Sequence, residues 1–254
     1  MRTTTGVILA AGPGTRFNGG GVQPKCLASF NGQPLIELQL RALRRCGVHD
    51  ITVVVGFEAQ RVRQACGPGI RFIENPRFVE TNSLYSLWLA RAVLQTGFVV
   101  MNCDVLFPTA MLADLLSARH QNALLVSYPE EGDPPFGDEE MKVRVRKGRV
   151  VAIGKDLSAE HSDGENVGVV KFGLDGAQRL LPLIERIVAS GSVRDWAPRA
   201  FAEFARDNSL YAIGTRGLPW TEIDTPDDYA RAVGQVFPAI RRAVHDATRA
   251  LVEA

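Results

Sequence analysis

Net charge is almost absent from this 254-residue chain: 29 Lys and Arg stand against 28 Asp and Glu, a balance of +1. That removes the electrostatic case for a nucleic-acid or membrane-surface partner, while leaving room for a small anion in a locally basic pocket. Cysteine is sparse as well. The four thiols, Cys26, Cys46, Cys66 and Cys103, form no CxxC pair and no Cys/His grouping with zinc spacing. Cys46 and Cys103 have apolar neighbours and read as small buried hydrophobes. No apolar run approaches the roughly 18 residues of a membrane span, and the N-terminus lacks the basic segment and apolar core of a secretory signal. These absences predict a soluble protein in a reducing cytoplasm. Two loop signatures are missing too. Phe17 stands where a dinucleotide fingerprint needs its third glycine, and no Gly-Lys-Ser/Thr completes a P-loop.

What is present is ordinary globular composition, 46% hydrophobic and 22% charged, enough for a sizeable core. The first half alternates strand and helix patterns. VILAA (7–11), ITVVVG (51–56), IRFIEN (70–75), GFVVMNCDV (97–105) and NALLVSY (122–128) read as strands, several of them covered on both faces. Helical spacing predicts helices over 34–47, 58–66, 82–95 and 108–120. That order argues for an α/β fold with a single doubly wound, mostly parallel sheet. After an acidic, turn-rich exposed loop at 129–140, residues 141–155 predict a β-hairpin around Lys147-Gly148. Strand-like 166–174, helices near 176–190 and 195–207, a last strand over LPWTEID and a helix from Pro226 follow. No repeat or long linker divides the chain, so it reads as one domain, 1–254, with an added mixed-sheet part.

The stretch GVILAAGPGTRF (6–17) joins a buried strand to a glycine-rich turn. Gly12 and Gly14 free the backbone to turn tightly and expose a row of N–H groups, a nest suited to phosphate. Arg16 adds a planar donor fork. A second cluster, Gly19–Gly21, precedes Pro24 and the point charge of Lys25. A plain turn after a strand fits the loop alone equally well.

The order LAAGPGTRF, PK, NCDV, WTEID resembles the nucleotidyltransferase family, which makes activated sugars and alcohols from a nucleoside triphosphate and a phosphorylated small molecule. Within it, ENPRFVETNSLYSLWLA (74–90), DEEMKVRVRKGRVVAIGKDL (138–157), DGENVGVVKF (163–172) and WTEIDTPDDY (220–229) are similar to the bacterial choline-phosphate cytidylyltransferase branch. The resemblance runs from Val7 to Tyr229. It implies a Rossmann-like, glycosyltransferase-A-like fold, with 1–128 mainly binding nucleotide, 129–236 mainly binding the acceptor and 237–254 a C-terminal helix.

The resemblance also implies roles. Leu9, Ala10, Ala11, Gly12, Gly14, Thr15 and Arg16 would cradle the triphosphate. Lys25 would lie between the α-phosphate and the incoming acceptor phosphate, and Asn82 and Ser83 would meet base and ribose. Asp104 and Asp224, each at a strand end, would share one Mg²⁺. Relatives often carry Gly-Asp or Asp-x-Asp at the first of these, where this chain has Asn102-Cys103-Asp104, so only Asp104 can ligate strongly there. Glu165, Lys171, Trp196 and Trp220 would line the acceptor side. Each residue also has a plainer reading: helix caps for Asp104, Asp224, Asn82 and Ser83, solvated side chains for Lys25, Glu165 and Lys171, and core packing for the two tryptophans.

The expected activity is therefore a Mg²⁺-dependent transfer from CTP to a small phosphorylated alcohol or phosphonate, phosphocholine-like, releasing pyrophosphate. A sugar-1-phosphate nucleotidyltransferase using another triphosphate and a non-catalytic nucleotide-binding regulatory protein are the alternatives. Two arrangements stay open for the amphipathic terminal helix: packing on the domain, or pairing subunits in a homodimer.

Overall fold

The computed structural model describes residues 4–17 and 23–252, with only the backbone described from 245 onward. The Gly19–Gly21 cluster and the last two residues of the expected terminal helix lie outside the described residues. In chain order the elements are β1 (Thr5–Ala10), β2 (Ser29–Phe30), β3 (Gln33–Pro34), α1 (Leu35–Arg45), β4 (Ile51–Val55), α2 (Ala59–Cys66), β5 (Arg71–Glu74) and α3 (Ser83–Leu89). Then come β6 (Phe98–Asn102), β7 (Val105–Leu106), α4 (Thr109–Ser117), β8 (Ala123–Ser127), β9 (Lys142–Arg146), β10 (Arg149–Gly154) and β11 (Gly164–Phe172). The chain closes with α5 (Leu174–Ala189), α6 (Pro198–Asp207), β12 (Tyr211–Gly214), β13 (Thr221–Glu222), α7 (Pro226–Arg231) and α8 (Phe237–Val252).

Nine strands form one sheet in the order β5-β4-β1-β6-β11-β8-β12-β10-β9. β5, β4, β1 and β6 are parallel, and β11 enters antiparallel between β6 and β8. β1 and β4 are buried at every position, which is why both read as unbroken apolar runs rather than alternating ones. Their side chains still alternate between two layers. Val7, Leu9, Val54 and Val100 pack against α3, α5 and α6, whereas Ile8, Ala10, Val53, Val99 and Met101 pack against α1, α2 and α4.

The expected hairpin is present as β9–β10, antiparallel around Lys147 and Gly148. It joins the main sheet through β12, and β9 returns to pair with the start of β11 at Gly164 and Glu165. β12 was not expected. It is four half-exposed residues beside β8 with no alternation to mark it. The strand expected over LPWTEID contracts to β13, two residues paired with β7. The helix expected over 82–95 is α3 followed by a 3₁₀ turn, Ala90–Val93.

A third apolar cluster ties the first loop to the far end of the chain. Phe17, Phe30 and Leu35 pack with Leu106, Ile223, Ala232 and Ile240. Tyr229 meets Phe17 and Phe30 edge-on at 5.7 Å, and its hydroxyl donates to Ser29 O at 2.7 Å. The beginning of α8 thus packs on the domain, through Phe237 and Ile240.

Phe172 is 2% exposed and touches the rings of Phe98, Phe201 and Phe204 at 5.1–5.5 Å. Truncating it leaves a cavity that neighbours on three elements cannot collapse into. Phe172→Ala is expected to lose about 3–5 kcal/mol, read as a lower urea midpoint at unchanged slope.

Candidate active site

A cleft of about 540 Å³ opens where β1 and β6 end, the edge at which open α/β sheets place their ligands. Leu9, Ala11, Gly12, Gly14, Thr15, Arg16 and Lys25 line it on one side, Asn82 and Ser83 on a second, and Asp104, Asp224 and Trp196 on others. Of the residues expected to cradle a triphosphate, Ala10 alone turns away. Alternation along β1 puts its methyl in the opposite layer, with Ile8.

The loop after β1 is shaped by two glycines. Gly14 has φ +59°, and a Cβ there would lie 2.7 Å from Lys25 Cγ, so the loop rests directly on the lysine stem. Gly56, at the end of the neighbouring strand, leaves no room for a side chain because Ala11 O would be 2.7 Å from its Cβ. Phe57 N instead donates to that same carbonyl at 3.0 Å.

Asp104 and Asp224 are brought together by backbone pairing. Thr221 pairs with Leu106 and Glu222 with Val105, and Ile223 N donates to Asp104 O at 3.0 Å. Gln39, buried on α1, clamps the turn between β6 and β7 by donating to Asn102 O and Val105 O, both at 2.9 Å. Neither aspartate caps a helix. Pro108 precedes α4, and Thr225 caps α7 in a capping box with Asp228. Asp228 also accepts from Asp224 N at 3.2 Å, which leaves the Asp224 carboxylate facing the cleft.

Lys25 Nζ stands between the two carboxylates, 3.2 Å from Asp104 Oδ2 and in contact with Asp224 Oδ1. Burial opposes its charge, but Asp104 and Asp224 outweigh burial and raise its pKa, so it stays protonated. Burial holds the Asp104 carboxyl above the usual carboxylate range, Lys25 pulls the other way, and the charge of Asp224 adds to the rise. Asp104 Oδ1 is buried without a hydrogen-bond partner.

Arg16 does not point freely into the cleft. Its guanidinium bridges Asp224 Oδ2 and Glu139 Oε2, each at 2.8 Å. Glu139 also meets Lys155 Nζ at 3.0 Å, and that ammonium lies 5.1 Å from the Trp196 ring centre. The expected exposed loop therefore sends one carboxylate back across the cleft rim.

Asn82 caps α3 by accepting from Ser83 N at 2.8 Å, and Ser83 Oγ accepts from Ala197 N at 2.9 Å. Both serve local structure while also lining the cleft. Behind them, fully buried Asn75 donates to Thr81 Oγ1 and Ser86 Oγ at 3.0 and 3.1 Å and accepts from Arg77 N at 3.0 Å, fixing this wall.

Two residues expected on the acceptor side belong elsewhere. Lys171 alternates with Val170 and Phe172 and so faces the α4 layer, where Nζ donates to Leu116 O and Ala118 O at 3.3 and 2.8 Å. Burial lowers its pKa. Trp220 packs against the α1, α2 and α4 layer and lines no part of the cleft. Glu165 sits one position behind the lining. Burial and the charge of Glu140 push its pKa up to about 7. Glu222 does line the cleft, and burial together with Asp104, Asp224 and Glu165 drives its pKa well up.

The sequence reading missed Glu222, Glu139, Lys155 and Asn75. The first had a usable signal, since strand alternation puts Glu222 on the same side as Asp224.

A carboxyl whose pKa rises on folding makes the fold less stable as pH climbs from the unfolded value towards the folded one. For Glu165 that window is roughly pH 4.5 to 7. Urea titrations should show stability falling across it, and Glu165→Gln should recover up to about 3 kcal/mol of the loss at pH 7.5.

A model of the MobA-like NTP transferase domain matches residues 6–155. A bifunctional IPC transferase and DIPP synthase of Rubrobacter xylanophilus is 32% identical over 87% of this chain, which spans 49% of that longer protein. The choline-phosphate cytidylyltransferase of Streptococcus pneumoniae is 26% identical over 89% of this chain and 95% of its own. The solved inositol-1-phosphate CTP transferase from T. maritima superposes with a TM-score of 0.76 over 95% of this chain and 96% of its own, at 23% identity, and so shares the nucleotidyltransferase fold. The match across more than half of the sequence places this chain in the family of MobA-like NTP transferase domains.

Proposed function

We propose that this nucleotidyltransferase moves a cytidylyl group from CTP to a phosphate or phosphonate oxygen of a small acceptor, releasing pyrophosphate. The observation that carries the reading is Lys25 held between Asp104 and Asp224 beneath a glycine loop. CTP is favoured because the S. pneumoniae relative, similar over nearly the full length of both chains, is a cytidylyltransferase.

The acceptor oxygen attacks the α-phosphorus in line with the departing pyrophosphate, so no covalent nucleophile is needed. Catalysis rests on position and charge. Backbone N–H groups of Gly12, Gly14 and Thr15, on either side of Pro13, face the triphosphate, and Lys25 shields the two anions from one another as they approach. Arg16, released from Glu139, meets the outer phosphates. Asn82 and Ser83 line the wall nearest the base, while Trp196, Lys155 and Glu222 face the acceptor. On this reading 1–128 serves mainly the nucleotide and 129–236 mainly the acceptor.

Asp104 and Asp224 would hold a Mg²⁺ ion, and the unpartnered buried Oδ1 of Asp104 fits a hard cation. Such an ion takes one or two carboxylates, its own waters and phosphate oxygens, and supplies charge neutralisation at the transferring phosphate. Among the described residues no group of three or more His, Cys, Asp or Glu could hold a metal, so two carboxylates are what the protein offers.

The test crosses the four common nucleoside triphosphates with phosphocholine, inositol 1-phosphate, 2-aminoethylphosphonate and a sugar 1-phosphate, measuring pyrophosphate. Release with CTP and one of the first three is expected, abolished by a chelator and restored by Mg²⁺. Release only with another triphosphate and the sugar phosphate contradicts the proposal, as does nucleotide binding without turnover.

A further inference from the structure

The β9–β10 hairpin carries a second concavity, remote from the cleft. Lys155, just after β10, lines the cleft. The Lys147-Gly148 turn lies at the other end of that strand, about 20 Å away along six residues. There Arg146, Lys147, Arg149 and Arg206 surround an open groove of about 650 Å³, with Val151 and Ala205 as its apolar walls. Among the described residues no carboxylate lines it. Arg63, Arg71, Arg186 and Arg216 each reach an acidic partner elsewhere on the molecule, whereas among the described residues no carboxylate pairs with Arg146, Lys147, Arg149 or Arg206.

The arrangement is electrostatically unfavourable as it stands. Arg149 and Arg146 are directly opposite one another in the hairpin ladder, a placement in which like charges repel. Lys147 adds a third cation from a left-handed turn position, φ +50°. Protection of an exposed edge explains part of this, because the Arg146 end of β9 lies beyond its pairing with β11 at Lys142 and Val143, and basic residues discourage edge-to-edge pairing. It does not explain Arg149, which is on the inner strand β10, or Arg206, which comes from α6. Side chains from a strand, a turn and a helix converge without a counter-charge.

We propose that this groove binds a phosphate-bearing anion of two or more negative charges. Guanidinium forks match phosphate oxygens in geometry, and such a ligand removes the repulsion between Arg146 and Arg149. The same chemistry is available from a free polyphosphorylated molecule or from a lipid phosphate headgroup.

The test uses the full chain, with inorganic tripolyphosphate followed by calorimetry and phosphatidic-acid vesicles followed by sedimentation against pure phosphatidylcholine. Arg146→Gln/Arg149→Gln changes only exposed side chains, and its melting temperature at low salt should match or exceed that of the natural chain. The double variant should bind the relevant probe about ten-fold or more weakly at this site. Lys25→Met, which alters the cleft alone, should keep that site, so failure of the nucleotide reading leaves this result intact. Tripolyphosphate binding lost in the double variant assigns a free ligand, and vesicle binding lost in it assigns a lipid headgroup. A double variant that binds both probes as the natural chain does overturns the proposal.

Discussion

The ammonium of Lys25 sits where two carboxylates from distant parts of the chain, 79 and 199 residues away, would otherwise repel one another. Bringing Asp104 and Asp224 to one point requires the β7–β13 ladder, the Thr225–Asp228 capping box and the third apolar cluster that packs the end of the chain over the first loop. Removing the cation would leave those carboxylates mutually repelling in a largely desolvated place, which is far more costly than losing a surface pair. Much of the fold on this side therefore positions one charge and its two partners.

That trio gives the cleft a double character. Its walls carry cations in Lys25, Arg16 and Lys155 and carboxylates in Asp104, Asp224 and Glu222. These groups satisfy one another: Arg16 bridges Asp224 and Glu139, and Glu139 reaches Lys155. On the proposed reading, a triphosphate entering the cleft would exchange those pairs for its own oxygens instead of displacing water from bare charges. Nucleotide binding would then be an exchange of partners, with Glu139 the group most readily given up because it is the most exposed of the set.

The legible parts of the sequence were those that buried strands announce by themselves. Continuous apolar runs identified β1, β4 and β6, the Lys-Gly turn identified the hairpin, and the polar residues at strand ends identified the cleft edge. Lys171 shows where alternation was available but unused: Val170 and Phe172 face the α5 and α6 layer, so the residue between them has to face the other side. Gln39 had no local signal, and the local turn bond of Asn75 to Arg77 N does not announce its buried contacts. Each is a single buried amide: Gln39 donates to carbonyls 63 and 66 residues away, and Asn75 accepts from Arg77 N but donates to hydroxyls 6 and 11 residues on, and only the packed fold shows that they clamp the turn after β6 and the wall behind Asn82. β12 was invisible because a short, half-exposed strand has neither a continuous nor an alternating pattern.

On the proposed reading the Lys25 charge acts on the reacting phosphates and is not simply a structural counter-ion for two aspartates. The most direct measurement is the single-turnover rate of pyrophosphate release by folded Lys25→Met protein saturated with CTP, acceptor and Mg²⁺. A fall of about 10²–10³-fold in that rate is expected, with nucleotide still bound. An unchanged rate in folded, nucleotide-bound protein would contradict it and leave Lys25 as a structural ion-pair partner alone.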